Sequence, residues 1–225
     1  MKRREFLGGA AASGAVLTVP AFLSGCGIQQ ATAVADKTPE NPFMEWFGVD
    51  QATTARVMSE LSANGADAAD LYFQHSRTNY LTLEDGIVSS ASSTIEQGVG
   101  LRVVIGEQTG YAFSEDLTLP AMLAAARTAA AIASGSRVLA PQAFNALGTG
   151  DLYNTTVPWS DVGIDQKLPL MKFVEAQAKS MDEAVEKVAV YWADQDERVM
   201  IATLDGRLVT DHRPMTRVTV TVTAR

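Results

Sequence analysis

Two Asp-Gly dipeptides between β-branched runs constrain this chain more than any other feature. Asp85-Gly86 joins TNYLTLE to IVSSASST, and Asp205-Gly206 joins RVMIATL to RLVTD. Asp-Gly supplies the positive backbone angles of tight hairpin turns, and Val, Ile, Thr and Tyr fit a pleated, half-buried surface. The spacing predicts antiparallel pairing on both sides of each turn. ADLYFQHS, TNYLTLED, IVSSASST, GVGLRVVIG and TGYAFSE read as a meander of about five strands, and KVAVYWADQ, RVMIATLDG, RLVTD and MTRVTVTVTAR as a second set.

Helical signals fall between these runs. Asp50 is the expected N-cap of a helix with Val57, Met58 and Leu61 on its apolar face, stopped by Asn64-Gly65. Thr118 is the expected N-cap of the Ala-rich AMLAAARTAAAIAS, with Pro120 in its first turn and Gly135 at its close. A third helix is expected around Leu168–Met181. Residues 136–164 read as irregular, because Pro141, Gly148, Gly150, Pro158 and Gly163 break any period. The expected class is α+β, with antiparallel β-meander sheets packed against a few helices.

Four glycines, Gly98, Gly100, Gly106 and Gly110, punctuate QGVGLRVVIGEQTGYAF. Position 103 is Val, so the run is not the G-x-G-x-x-G dinucleotide fingerprint, and no Gly-Lys-Ser/Thr occurs. A hairpin with sharp turns or bulges is the expected reading.

The first residues read as an address. Lys2, Arg3 and Arg4 precede an uncharged stretch from Leu7 to Gly25, which is rich in small residues and ends at Cys26. Arg3-Arg4 followed by Glu5-Phe6-Leu7 resembles a twin-arginine signal, the export route that carries folded proteins. Leu23-Ser24-Gly25-Cys26 resembles a bacterial lipobox, which implies cleavage before Cys26 and a lipid on its sulfur. The organisation expected is a signal over 1–25, a tether over 26–44, a first α+β domain over 45–135 and the start of a central domain over 136–225. The localisation expected is the periplasm or envelope, lipid-anchored at Cys26. Cys26 is the one cysteine, which excludes an intrachain disulfide.

The formal charge is −8, and removal of Lys2, Arg3, Arg4 and Glu5 with the signal takes it to −10. An acidic surface argues against nucleic acid as a partner, and it leaves a lipid as the expected link to a membrane.

Chemistry-bearing motifs are sparse. His75 and His212 are the only histidines, and neither lies in a helical H-E-x-x-H pattern. Each is expected in a strand or loop rather than as a ligand. Glu84-Asp85 and Glu115-Asp116 read as turn acids. No nucleophile elbow occurs, and a lipidated Cys26 leaves no thiol for catalysis.

ADAADLYFQHS, LEDGIVSSASS, QGVGLRVVIGEQTGYAFSEDL and IATLDGRLVTDHRPMTRVTVTV, in that order, resemble the TldD/PmbA family over roughly residues 45–225. These are proteases once described as modulators of DNA gyrase. The glycine segment ending in Ser-Glu-Asp-Leu and the Asp205-Gly206…Asp211-His212-Arg213-Pro214 pattern carry most of the likeness. ADLYFQ and TGYAFSEDL lean to the TldD side. The resemblance implies a zinc metallopeptidase acting on peptides or unfolded segments. It implies a TldD-type subunit with a His-Glu-x-x-x-His helix and a further Cys ligand, paired with a PmbA-type subunit that lacks the metal site. None of those ligands occurs in this chain, so no catalytic or metal-binding residue is assigned, and the chain alone is expected to be inactive and to bind no zinc. The best-known members are cytoplasmic, unlike a chain with an export signal.

Two alternatives stand beside that reading: a non-catalytic PmbA-like partner, and a lipoprotein that binds peptide along a sheet edge without catalysis. The last strand places Thr216, Val218, Val220 and Val222 on one face, expected to be able to pack on a core, and Arg217, Thr219, Thr221 and Thr223 on a polar face. It reaches Arg225 in mid-pattern, which predicts an open sheet edge and a chain that continues further.

Overall fold

The computed structural model describes residues 41–133, 139–148, 153 and 155–225. The signal residues Arg3, Arg4, Phe6 and Leu7, the lipid site Cys26 and the expected helix stop Gly135 lie outside the described residues. In order, the elements are α1 (Pro42–Phe47), α2 (Gln51–Leu61), β1 (Ala68–Glu84), β2 (Ile87–Ile105), β3 (Gln108–Ser114), α3 (Leu119–Ile132), β4 (Asn145–Leu147), α4 (Ile164–Lys179), β5 (Val185–Thr203) and β6 (Arg207–Ala224). The described strands form one sheet of order β3-β2-β1-β5-β6-β4. The α+β class holds.

The expected short strands fuse into long ones. ADLYFQHS and TNYLTLED are both β1, and IVSSASST and GVGLRVVIG are both β2. The same fusion makes β5 and β6, so two long hairpins replace the two short-stranded sets. β1 and β5 then pair antiparallel from Asp70↔Thr203 to Glu84↔Ala189, which joins both sets into a single sheet. β3 is one edge, so the glycine hairpin does lie at the far end. The other edge departs from the antiparallel expectation: inside the segment read as irregular, β4 runs parallel to β6, with Asn145 opposite Arg207.

The turns follow their residues. Asp85 and Gly86 both take positive φ, 49° and 75°, as a two-residue hairpin loop demands. Asp50 caps α2, its Oδ1 accepting from the Thr53 amide at 2.7 Å. Thr118 occupies the N-cap position of α3, but its side chain makes no capping bond. Asp116 Oδ1 accepts from the Thr118 amide and holds the turn that leads into the helix. α4 begins at Ile164, four residues before the expected start, and carries Pro169 inside it. α1 lies partly within the expected tether, and its Phe43 is fully buried.

Alternation along the long strands sets two cores on one face. Leu71 and Phe73 of β1, Leu101 and Val103 of β2 and Met200 and Ala202 of β5 pack with Val57, Met58 and Leu61 of α2 and Met122, Ala126 and Ala129 of α3. Further along the same strands, Leu81, Leu83, Val188, Val190 and Trp192 pack with Met171 of α4. Each such large side chain contributes about 1.5–3 kcal/mol by leaving water.

The glycine hairpin has a structural role. Gly106 takes φ +57° in the β2–β3 turn. Gly110 lies directly beneath the Ala129 carbonyl, so the absence of a side chain lets α3 lie close on the sheet. No register shift interrupts the β2–β3 ladder, so of the expected sharp turns or bulges it is the turn that occurs.

The β6 face expected to pack is half-exposed. Register puts Val218, Val220 and Val222 opposite Trp192, Val190 and Val188, on the α4 side of the sheet. They nevertheless remain 43%, 39% and 46% exposed, because α4 lies over β5 and stops short of β6.

Candidate functional site

The two cores leave a gap on the helix-bearing face of the sheet, and the strands fill it with polar side chains. On β1 these are His75, Arg77 and Asn79; opposite them on β5 are Arg198, Asp196 and Asp194. On β6, His212 stands opposite Arg198. The two histidines therefore flank one β5 residue, although 137 positions separate them in sequence.

Asp196 faces β6. Its Oδ1 accepts from His212 Nε2 at 2.7 Å, and since a carboxylate only accepts, Nε2 carries the proton. Arg198 Nε stands 3.7 Å from the same oxygen. Arg77 lies in register with Asp196 yet forms no ion pair with it, and it has no hydrogen-bond or ion-pair partner among the described residues. His75 lies under Trp46 of α1, with ring centroids 4.8 Å apart. Burial pushes the His75 pKa below its ordinary value, and the nearby Asp196 charge opposes that shift without overcoming it.

The far wall is the 3-10 turn Trp159–Asp161, whose indole meets Trp192 edge-on at 6.0 Å. Beneath it, Lys167 of α4 donates to Asp194 Oδ2 at 2.6 Å, Trp192 Nε1 donates to the same oxygen, and Asn79 donates to Oδ1. Asp194 is thus fully satisfied, and α4 is fastened to the sheet. Between Trp46 and Trp159 lies a cleft of about 310 Å³ floored by His75, Arg77, Asn79, Asp196 and Arg198. That size is in the range of small-ligand sites.

The acids singled out in the sequence are elsewhere. Asp85 pairs with Lys179 at 2.8 Å and Glu84 with Lys187 at 3.3 Å, so both tie the β1–β2 turn to neighbouring elements. The Lys179 ammonium holds the Asp85 carboxyl below its usual pKa. Asp116 holds the turn before α3, and Glu115 lines a separate groove on the opposite sheet face with Gly98, Gly100, Tyr111 and Phe113. Asp70, Glu96 and Glu115 line that groove as well, and its Arg102 is paired with Asp70 at 2.6 Å; this lining is unsuited to phosphate.

Among the described residues no three His, Cys, Asp or Glu side chains converge as a metal site. His75, His212 and Asp196 come near one another without forming a ligand set, so these residues do not fit zinc, and no zinc-dependent step is assigned to them.

Residues 69–133 match the PmbA/TldA metallopeptidase domain 1, and residues 157–225 match the PmbA/TldA metallopeptidase central domain, in that order. The chain carries domains of the PmbA/TldD metallopeptidase family. Among its curated relatives, the metalloprotease TldD homolog of Haemophilus influenzae is 33% identical over 172 residues, covering 76% of this chain and 36% of that protein. The metalloprotease TldD homolog of Buchnera aphidicola (from Acyrthosiphon pisum) is 26% identical, covering 74% of this chain and 34% of that protein. The chain thus spans about a third of the length of these PmbA/TldD relatives. The fold recurs in solved structures. A candidate modulator of DNA gyrase from Bacteroides thetaiotaomicron superposes with a TM-score of 0.63 at 19% identity, covering 78% of this chain and 41% of that one. TldE from Thermococcus kodakarensis superposes with a TM-score of 0.52 at 14% identity, covering 77% and 39%.

Both histidines were visible in the sequence, but their convergence was not. Arg77, Asp196, Arg198, Trp46 and Trp159 were missed as site residues. The one available signal was a polar interruption, HSRTN in β1 and ADQDER in β5, between apolar stretches of the same strands.

Proposed function

We propose that this chain is the N-terminal part of an exported, TldD-like zinc metallopeptidase that acts on peptides or unfolded segments, with the zinc ligands contributed from outside the chain. The observation that carries the reading is the ordered pair of family domains, 69–133 then 157–225, together with 33% identity to a metalloprotease TldD homolog. The role of this part is that of a scaffold: one rigid sheet presenting a polar cleft. Anchoring through Cys26, and pairing with a second TldD/PmbA-type subunit around a peptide, belong to the same proposal.

The test begins with the gene beyond Arg225. A downstream His-Glu-x-x-x-His supports the reading, and the full-length protein then hydrolyses an unfolded casein substrate, loses that activity to a chelator and regains it with zinc. A long continuation without the motif points instead to a non-catalytic PmbA-like partner. A stop codon at that point leaves a peptide-binding lipoprotein.

A further inference from the structure

We infer that the cleft between Trp46 and Trp159 is a binding site for a small carboxylate carrying an apolar body, held by Arg77 and Arg198 with the apolar part between the two indoles. The inference uses only residues of this chain and stands apart from the peptidase reading.

The argument is one of unmatched donors. A guanidinium offers five N–H groups and accepts none. Arg77 has no partner among the described residues, and Arg198 approaches its single carboxylate only to 3.7 Å. The floor holds one carboxylate, Asp196, which is committed to His212 at 2.7 Å. The other nearby acid, Asp194, is engaged at both oxygens by Lys167, Trp192 and Asn79. The cleft therefore carries surplus positive charge within an acidic chain. The partner it fits is an anion with two coplanar oxygens, which the guanidinium fork matches in bidentate fashion.

The walls choose among anions. Trp46 is 45% exposed, an indole held at the rim by the buried Phe43 one helical turn earlier. Trp159 is braced by Trp192 and by the Lys167 ammonium 5.5 Å from its ring. Two fixed indole walls favour an apolar group, which inorganic phosphate lacks. The carboxylate could belong to a free small acid or to the C-terminus of a peptide with an apolar last residue.

All three tryptophans of the chain line or adjoin the cleft, so intrinsic fluorescence reports on its occupancy. The 225-residue chain is titrated with N-acetyl-leucine, N-acetyl-leucinamide, acetyl-Ala-Ala-Ala-Leu as free acid, inorganic phosphate and cellobiose. The expected result is saturable change with both acids and none with the amide, phosphate or cellobiose. Arg77→Met weakens acid binding about tenfold or more, whereas Arg77→Lys retains part of it. Arg77 is exposed, so its variants fold, and circular dichroism checks this. If the tetrapeptide acid binds about tenfold tighter than N-acetyl-leucine, the source is a peptide C-terminus; equal or weaker binding assigns a free acid. Equal binding of acid and amide overturns the inference. So does an unchanged affinity in Arg77→Met, saturation by cellobiose or phosphate alone, or no saturation by either acid up to ~10 mM.

Discussion

Lys167 of α4 and Asp194 of β5 meet at 2.6 Å with their side chains 5% and 0% exposed, while Trp192 donates to the same carboxylate oxygen and Asn79 to the other. Breaking such a pair strands a buried charge, which costs more than the pair itself contributes. Asp194→Ala is expected to lower stability by about 3–5 kcal/mol in urea denaturation. Adding Lys167→Met to it should recover part of that loss, because it removes the stranded ammonium. Strictly additive losses would show that the two side chains act independently.

Gly110 should resist substitution. A Cβ there would overlap the Ala129 carbonyl oxygen, a backbone atom that cannot rotate away. Gly110→Ala is expected to destabilise by about 1–3 kcal/mol, read as a lower melting temperature. A neutral result would mean that α3 slides freely over β3.

The pH dependence has a definite sign at His75. Burial lowers its folded-state pKa, so on acidification the unfolded chain takes up the proton first. Stability associated with His75 is therefore complete above the ordinary imidazole range and is lost as pH falls through that range toward the lowered folded value. His75→Gln should flatten this acid limb, leaving a smaller drop in melting temperature between about pH 8 and pH 5.5 than the parent shows. An identical drop in both proteins would assign the limb to other groups.

The β6 edge offers a test of association. Val218, Val220 and Val222 are 39–46% exposed on a strand stretch that, among the described residues, pairs only with β5, a combination that invites pairing with another chain. Light scattering should show association that grows with concentration, exceeds that of a longer chain covering this edge, and falls in Val220→Lys. A parent chain that stays monomeric at every concentration would count against an open edge.

Export and anchoring are tested in cells. Replacing Arg3 and Arg4 by lysine should retain the protein in the cytoplasm, and Cys26→Ser should remove both the added lipid mass and membrane association. Unchanged fractionation in either variant would remove that half of the proposal.

Local signals in the sequence carried much of the fold. Asp85-Gly86, the Asp50 cap and the Ala-rich α3 each act over a few residues, so their types alone predict them. The length of the strands was hidden. The polar residues Glu96 and Gln97, exposed in the structure, look like a boundary between IVSSASST and GVGLRVVIG when they lie inside β2. The site was the least legible part. His75, Arg198 and His212 become neighbours only through the registers β1–β5 and β5–β6, and nothing near His75 in sequence encodes the partner it meets.

The ladder joining β1 to β5 has a consequence for how the chain reaches this state. Asn79 and Asp194, bonded across it, are 115 positions apart. One strand lies in the first family domain and the other in the central domain, so the seam between these domains runs through the middle of a hydrogen-bonded sheet. Loop-closure entropy must be met before that ladder stabilises anything, and contacts so distant in sequence make folding slow. The two family domains are then expected to unfold in a single cooperative transition, and residues up to 133 alone would present β1 as a raw edge.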